Sequence, residues 1–137
     1  MNTCKKNFTY ITLFLLLVFL SSGCQLFDSA NKKLYTYCPG LKISVNGVSY
    51  AFNGRRDIYS LTYDQSSQKS VKTYFEKPEN GFHEMKDGGF YDIEISDNHI
   101  IDRSDNILGK TVRNGKDSTD VIFNETTRKI IFIQYLK

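Results

Sequence analysis

The chain has 137 residues, of which 40% are hydrophobic and 14% aromatic, and its formal net charge is +3. This length suits one domain with an ordinary hydrophobic core. The basic residues form no long run, and Arg55-Arg56 is followed directly by Asp57, so the sequence argues against nucleic acid as a partner.

Residues 1–23 have the composition of an export signal. Lys5 and Lys6 come first, without any acidic residue, and the apolar run 11–20 and the small residues Ser21-Ser22-Gly23 follow. The lysines stay on the cytoplasmic side while the apolar helix enters the translocation site. A retained membrane anchor is the alternative, but the run of about ten residues spans only about 15 Å of a bilayer core of about 30 Å.

The stretch Leu20-Ser21-Ser22-Gly23-Cys24 resembles the lipobox of bacterial lipoproteins. The resemblance implies cleavage between Gly23 and Cys24 and a lipid-modified Cys24, whose acyl chains (palmitate among them) hold the protein at a membrane of the cell envelope. The chain departs from the family in one respect: Ser21 stands where a large aliphatic residue is usual, and Leu20 comes one place earlier. Gln25 after the cysteine is similar to lipoproteins sorted to the outer membrane of Gram-negative bacteria.

Cleavage would change both the charge and the cysteine content. Loss of Lys5 and Lys6 lowers the net charge from +3 to +1. Cys4 leaves with the signal, Cys24 carries the lipid, and Cys38 is left either buried and inert or available to a partner. The competing interpretation is a Cys24–Cys38 disulfide in a protein without lipid, which would close a loop of about 15 residues and contribute about 3 kcal/mol.

The remainder is predicted to contain a lipidated tether and one folded unit. Residues 24–33 are polar on balance, and they predict a tether that lets the domain stand off the membrane surface. Residues 34–137 predict a single β-rich domain.

The strongest fold signal lies between residues 41 and 52. Asn46-Gly47 separates two segments of alternating polarity, a pattern that favours a β-hairpin with a type I′ turn. In the resulting register six apolar side chains share one face, in the facing pairs Val45–Val48, Ile43–Tyr50 and Leu41–Phe52.

Later segments continue the β pattern. Residues 71–76 fit either a strand or a short helix capped by Ser66 or Ser67. The run Ile130–Ile133 is apolar on both faces and predicts a central, covered strand. The other predicted features are strands at 59–63, 90–96, 120–124 and 129–136, turns at 78–81, 87–89 and 97–98, and a hairpin loop at 125–128. Together they predict an all-β fold with room for one short helix, built as a small antiparallel β-sandwich or barrel.

The two histidines do not form a recognisable metal or catalytic motif. His83 lies beside Glu84, and His99 lies between Asp97 and Asp102. A zinc site needs three or four ligands, and neither an HExxH nor a CxxC spacing is present. Both histidines are therefore predicted on surface turns, and an envelope hydrolase that uses either of them is the weaker alternative.

The sequence also contains two patterns of acidic residues that are candidate sites. Asp92 and Glu94 share a strand face about 7 Å apart, as alternation produces on many solvated faces. Residues 102–106 place oxygens as a calcium loop does, but Ile107 occupies the glycine position and Arg113 the bidentate glutamate position. The sequence predicts no catalytic residue, metal or cofactor.

The expected function is therefore a non-enzymatic binding or structural module, held at a membrane, with an envelope protein or glycan as partner. A second resemblance gives the alternative. Residues 37–45, from Tyr37 to Val45, are similar to the first strand of periplasmic lysozyme inhibitors, which are small β-barrel lipoproteins. The resemblance implies an inhibitor or another ligand-binding domain, although the late cysteine and the tryptophan-bearing segment of that family are absent here.

Overall fold

A computed structural model describes residue 15 and residues 23–85, 94–95, 98–99, 101 and 104–136, with the backbone alone at 53, 94–95 and 98–99. These residues form one six-stranded antiparallel sheet, a separate two-stranded sheet and two α-helices. The main sheet has the strand order β1-β2-β8-β7-β6-β3 and is open, with β1 and β3 at its edges. The domain is thus β-rich and antiparallel, as predicted, but this sheet does not close into a barrel.

The elements follow one another along the chain with short connections. Helix α1 covers residues 23–37, and α2 covers Gln68–Glu76 between two 3-10 turns, Gln65–Ser67 and Pro78–Asn80. The strands are β1 Val45–Asn53, β2 Arg56–Tyr63, β3 His83–Glu84, β4 Glu94–Ile95, β5 Asn98–His99, β6 Ile107–Asn114, β7 Asp117–Asn124 and β8 Lys129–Tyr135.

The first hairpin does not turn at the predicted Asn-Gly pair. Strand β1 runs straight through Asn46-Gly47, and the chain reverses at Gly54-Arg55, where Asn53 pairs with Arg56. Gly54 adopts φ 62°, the left-handed conformation that such turns require. The prediction of a hairpin turn at Asn46-Gly47 was therefore wrong.

Asn46 instead forms a β-bulge. Val45 pairs with Tyr63 and Gly47 with Thr62, so Asn46 is an extra residue in β1. A Cβ on Gly47 would collide with Oγ1 of Thr62, which explains why a glycine follows the bulge. The extra residue shifts the alternation of inward and outward side chains by one position, as a two-residue turn would. Ile43, Val45 and Val48 therefore pack against the same core, as predicted for the hairpin.

The sheet is covered on both faces. One face carries Leu61, Phe123 and Phe132, and α1 and α2 pack over it. The other face is rich in isoleucine, contributed by β2, β7 and β8, and the buried Ile101 packs on it together with Met85. Because β8 lies between β2 and β7, Ile130–Ile133 are buried on both faces, and the prediction of a central, covered strand is confirmed.

Helix α1 includes the residues that the sequence predicts as a tether. Its inner face carries Ala30, Leu34 and Tyr37, spaced to recur every three or four residues, and Ala30 and Leu34 are buried in the core. Lys33 on the same side donates a hydrogen bond of 2.8 Å from Nζ to Oε1 of Gln134. Residues 30–33 thus belong to the folded domain.

The ambiguous segment 71–76 is helical. It forms most of α2, which buries Val71 and Phe75 on the sheet. Ser67 is the N-terminal cap residue, although its side chain makes no capping hydrogen bond. The predicted loop 125–128 connects β7 and β8, with Asn124 opposite Lys129. The predicted turn at residues 87–89 and most of the strand at 90–96 lie outside the described residues.

Candidate functional site

The predicted lipidation residue, Cys24, lies on α1, ahead of the residues by which that helix packs on the sheet. Gly23 and Cys24 are both exposed there. Cys38 follows the end of the same helix, and its backbone N–H donates to the Leu34 carbonyl at 2.8 Å. At about 1.5 Å of rise per residue, the two cysteines are about 21 Å apart, too far for a disulfide. The alternative of a Cys24–Cys38 bridge is therefore wrong.

Cys38 is buried, with 1% of its surface exposed. Desolvation in the apolar core raises the pKa of its thiol to about 12, and the nearby Lys110 opposes that shift. Because the thiolate is the nucleophile of cysteine chemistry, Cys38 is unreactive in the folded domain. Of the two alternatives left open by the sequence, the structure favours the buried and inert one.

The histidines and acidic residues singled out in the sequence lie on separate elements. His83 is exposed on β3 of the main sheet, whereas His99 lies on β5, opposite Glu94 of β4. Asp92 and Asp102 fall outside the described residues. Within the part of the chain that the structure describes, no group of three or more His, Cys, Asp or Glu side chains could hold a metal ion.

The calcium-like stretch is tied to the β7–β8 loop instead. Asp105 accepts a hydrogen bond of 2.7 Å from Nδ2 of Asn124. Asn106 donates from Nδ2 to Glu125 at 2.8 Å, and its carbonyl accepts from the Glu125 backbone N–H. These polar side chains therefore join two loops at one end of the sheet.

The structure also shows a groove that was not predicted. It lies between α2 and residues 40–42, the connection that leads toward β1, and has a volume of about 580 Å³. We call it the lysine groove because Lys42, Lys69 and Lys77 line it, together with Ser66 of the preceding 3-10 turn and hydroxyl-bearing side chains of α2. Lys69 and Lys77 are separated by about 12 Å along the helix axis, so the positive charges are spread along the groove.

The three lysines that line the groove differ in their partners from Lys72, the second lysine of α2. Lys72 forms a 2.6 Å hydrogen bond and ion pair with Glu125 and lies 3.7 Å from Glu76. In the described part of the chain, no ion pair is found for the three lysines that line the groove. They are therefore free to meet an anionic ligand, for which the N-terminus of α2 adds a favourable dipole.

The floor of the groove is fixed by packing beneath α2. The Phe75 ring stacks on Phe123 at 4.6 Å between centroids and meets Phe82 edge to face at 4.5 Å. Tyr74 donates a 3.2 Å hydrogen bond from its hydroxyl to the Pro39 carbonyl across the groove. The sequence did contain one signal for the groove, the helical spacing of Ser66, Ser70, Thr73 and Lys77. That spacing is informative only once residues 68–76 are known to be helical.

Two further findings concern membrane-spanning helices and similarity to known proteins. None of the helices that the structure describes has the length and apolar character needed to cross a membrane. Comparison with protein-family models, with curated proteins and with solved structures finds no match to this chain. Function must therefore be argued from the residues themselves.

Proposed function

We propose that this chain is a lipoprotein of the bacterial cell envelope, cleaved between Gly23 and Cys24 and anchored by acyl chains on Cys24. In a Gram-negative cell it sits on the outer membrane. The domain acts there as a binding module rather than as an enzyme.

The observation that carries the proposal is the contrast between the two described cysteines. Cys24 is a free and exposed thiol on α1. Cys38 is buried and makes no bridge to it. Together with the signal-like residues 1–23, this leaves the Cys24 sulfur available for lipid, and two or more acyl chains hold a protein stably at a membrane.

Metabolic labelling with palmitate tests the anchor. Wild-type protein and the matched control Cys38→Ser should both incorporate label, whereas Cys24→Ser should be exported without label. Label retained by Cys24→Ser would refute lipidation at this residue. Mass spectrometry of the native protein offers a second measurement, since an intact Met1 would refute cleavage.

The binding activity is assigned to the lysine groove. Three lysines without described carboxylate partners, spread over about 12 Å, suit an extended anion such as an acidic envelope glycan. Polygalacturonate serves as a probe in titration calorimetry. Lys69→Glu with Lys77→Glu should weaken binding by at least about tenfold, or about 1.4 kcal/mol, while Lys116→Glu in the exposed β6–β7 turn should not. Equal affinities for the two variants would exclude the lysine groove as the binding site.

The lysozyme-inhibitor alternative has less support. Residues 37–44 contain the end of α1 and an irregular segment, and β1 begins only at Val45, so the similar stretch is not a first strand. An assay in which micromolar protein leaves lysozyme activity unchanged would dismiss the alternative.

The β-sandwich predicted from the sequence also stays a proposal. Ile101 covers the isoleucine-rich face of the main sheet, and a second β layer on that face would complete the sandwich.

A further inference from the structure

We propose that the β1 edge of the main sheet lies against the membrane and that its exposed apolar side chains enter the lipid headgroup region. The inference rests on the proposed attachment of the chain at Cys24. We call this surface the aromatic edge. It is formed by Phe27, Tyr50, Phe52 and Leu136, which are 38%, 44%, 58% and 40% exposed.

Three of these side chains share one corner of the sheet. Tyr50 and Phe52 are two residues apart on β1, so they project from the same face of that edge strand. The backbone N–H of Leu136 donates to the Arg55 carbonyl at 2.9 Å, which holds Leu136 beside the turn between β1 and β2. The corner therefore combines the free edge and one end of the sheet.

The direction of α1 brings Cys24 to the same corner. Nζ of Lys33 lies 4.6 Å from the Tyr59 ring centroid on β2. One helical turn later, the Tyr37 hydroxyl lies 3.0 Å from Oγ1 of Thr119 on β7. The helix thus crosses the strands from β2 toward β7, and its N-terminal part points outward past β1.

Helix and sheet dimensions place Cys24 beyond the edge. Cys24 precedes Lys33 by about 14 Å of helix. Lys33 reaches both β2 and β8, through Tyr59 and Gln134, so β1 lies about 5 to 10 Å from it across the sheet. The attachment point is therefore roughly 4 to 9 Å outside β1, and Phe27 lies near the edge on the same part of the helix. A membrane that holds Cys24 meets the aromatic edge first.

The chemistry of this edge fits a lipid surface. Tyrosine and phenylalanine present apolar rings that partition into the headgroup region. Arg55 is exposed in the adjacent turn, where anionic headgroups attract it, and the Asp57 carboxylate on β2 is held by a hydrogen bond of 2.6 Å from the Tyr50 hydroxyl. The opposite edge, β3, presents the exposed and polar His83 and Glu84. The two edges of one sheet thus differ as a membrane-facing and a water-facing side should.

A tryptophan reporter tests the inference, because the chain contains no tryptophan of its own. Phe52→Trp places the only indole at the aromatic edge, and His83→Trp places it on the opposite edge as a matched control. Each full-length variant is purified from cell membranes and reconstituted into vesicles of phosphatidylethanolamine and phosphatidylglycerol. Emission is compared between vesicles with brominated and with ordinary acyl chains, and flotation measures attachment.

The outcomes separate the orientation from the anchor. We expect both variants to float and Phe52→Trp alone to show a roughly two-fold loss of emission with brominated lipid, as befits a ring held within about 10 Å of the acyl chains. Flotation with equal emission in both lipids, or with equal loss in both variants, would overturn the orientation while the anchor stands. Failure of both variants to float would overturn the anchor and the orientation with it.

Discussion

The burial of Cys38 leads to a prediction about thiol reactivity. Alkylation by iodoacetamide proceeds through the thiolate. At pH 8, a thiol with the ordinary pKa of 9.0 is ionised to about a tenth, whereas a pKa of about 12 leaves about one thiolate in ten thousand. Cys38 should therefore react at least about a thousandfold more slowly in the folded protein than an ordinary thiol does.

The assay uses the chain from residue 24 onward, so that Cys24 and Cys38 are both present as free thiols. Mass spectrometry follows alkylation of each cysteine over time, and exposed Cys24 serves as the internal reference. In concentrated urea the two rates should come within a few-fold of each other, because unfolding removes the desolvation. A native Cys38 rate within tenfold of the Cys24 rate would refute the burial of this thiol and the packing of α1 on the sheet.

Three further outcomes are expected. Phe75→Ala should lower the free energy of unfolding by about 3–5 kcal/mol in urea titrations, with a much smaller loss for Phe75→Leu; equal losses would show that the ring stacking is unimportant. Gly47→Ala should lower the free energy of unfolding by about 1–3 kcal/mol, because the added Cβ would collide with the Thr62 hydroxyl. Thr62→Ala in the same chain should restore most of that loss, and no restoration would show that β1 lacks the bulge. The stability that the Cys38 and Tyr63 protons contribute should be complete below about pH 8 and fall toward pH 12, because the folded-state pKa values of both groups are raised to about 12 and the unfolded chain loses those protons first. Urea midpoints that stay unchanged from pH 8 to 11 would contradict this.

The hairpin shows how far a local pattern can be trusted. The alternation correctly placed Ile43, Val45 and Val48 on one face, because a bulge and a two-residue turn shift the alternation equally. The predicted position of the turn was wrong: the chain reverses at Gly54-Arg55, whereas Asn46-Gly47 lies inside β1 beside a bulge. Only pairing with β2, a contact between distant residues, decides between the two.

The helices illustrate a different limit. The spacing of Leu26, Ala30 and Leu34 was visible in the sequence, but polar neighbours outweighed it, and the partner surface on the sheet was unknown. Segment 71–76 stayed ambiguous because Val71 and Phe75 suit a strand and a helix alike. The lysine groove exists only between two such elements, so it could not be predicted before their packing was known.

The position of β8 in the sheet has a consequence for folding during synthesis. Strand β8, at residues 129–135, pairs with both β2 and β7, and Gln134 on it receives the hydrogen bond from Lys33. A chain made from its N-terminus onward cannot join β2 to β7 until residues 129–135 have emerged. Until then the earlier strands wait with their apolar faces open to proteases and chaperones, and a chain cut after Arg128 would lack the strand that joins the two halves of the sheet.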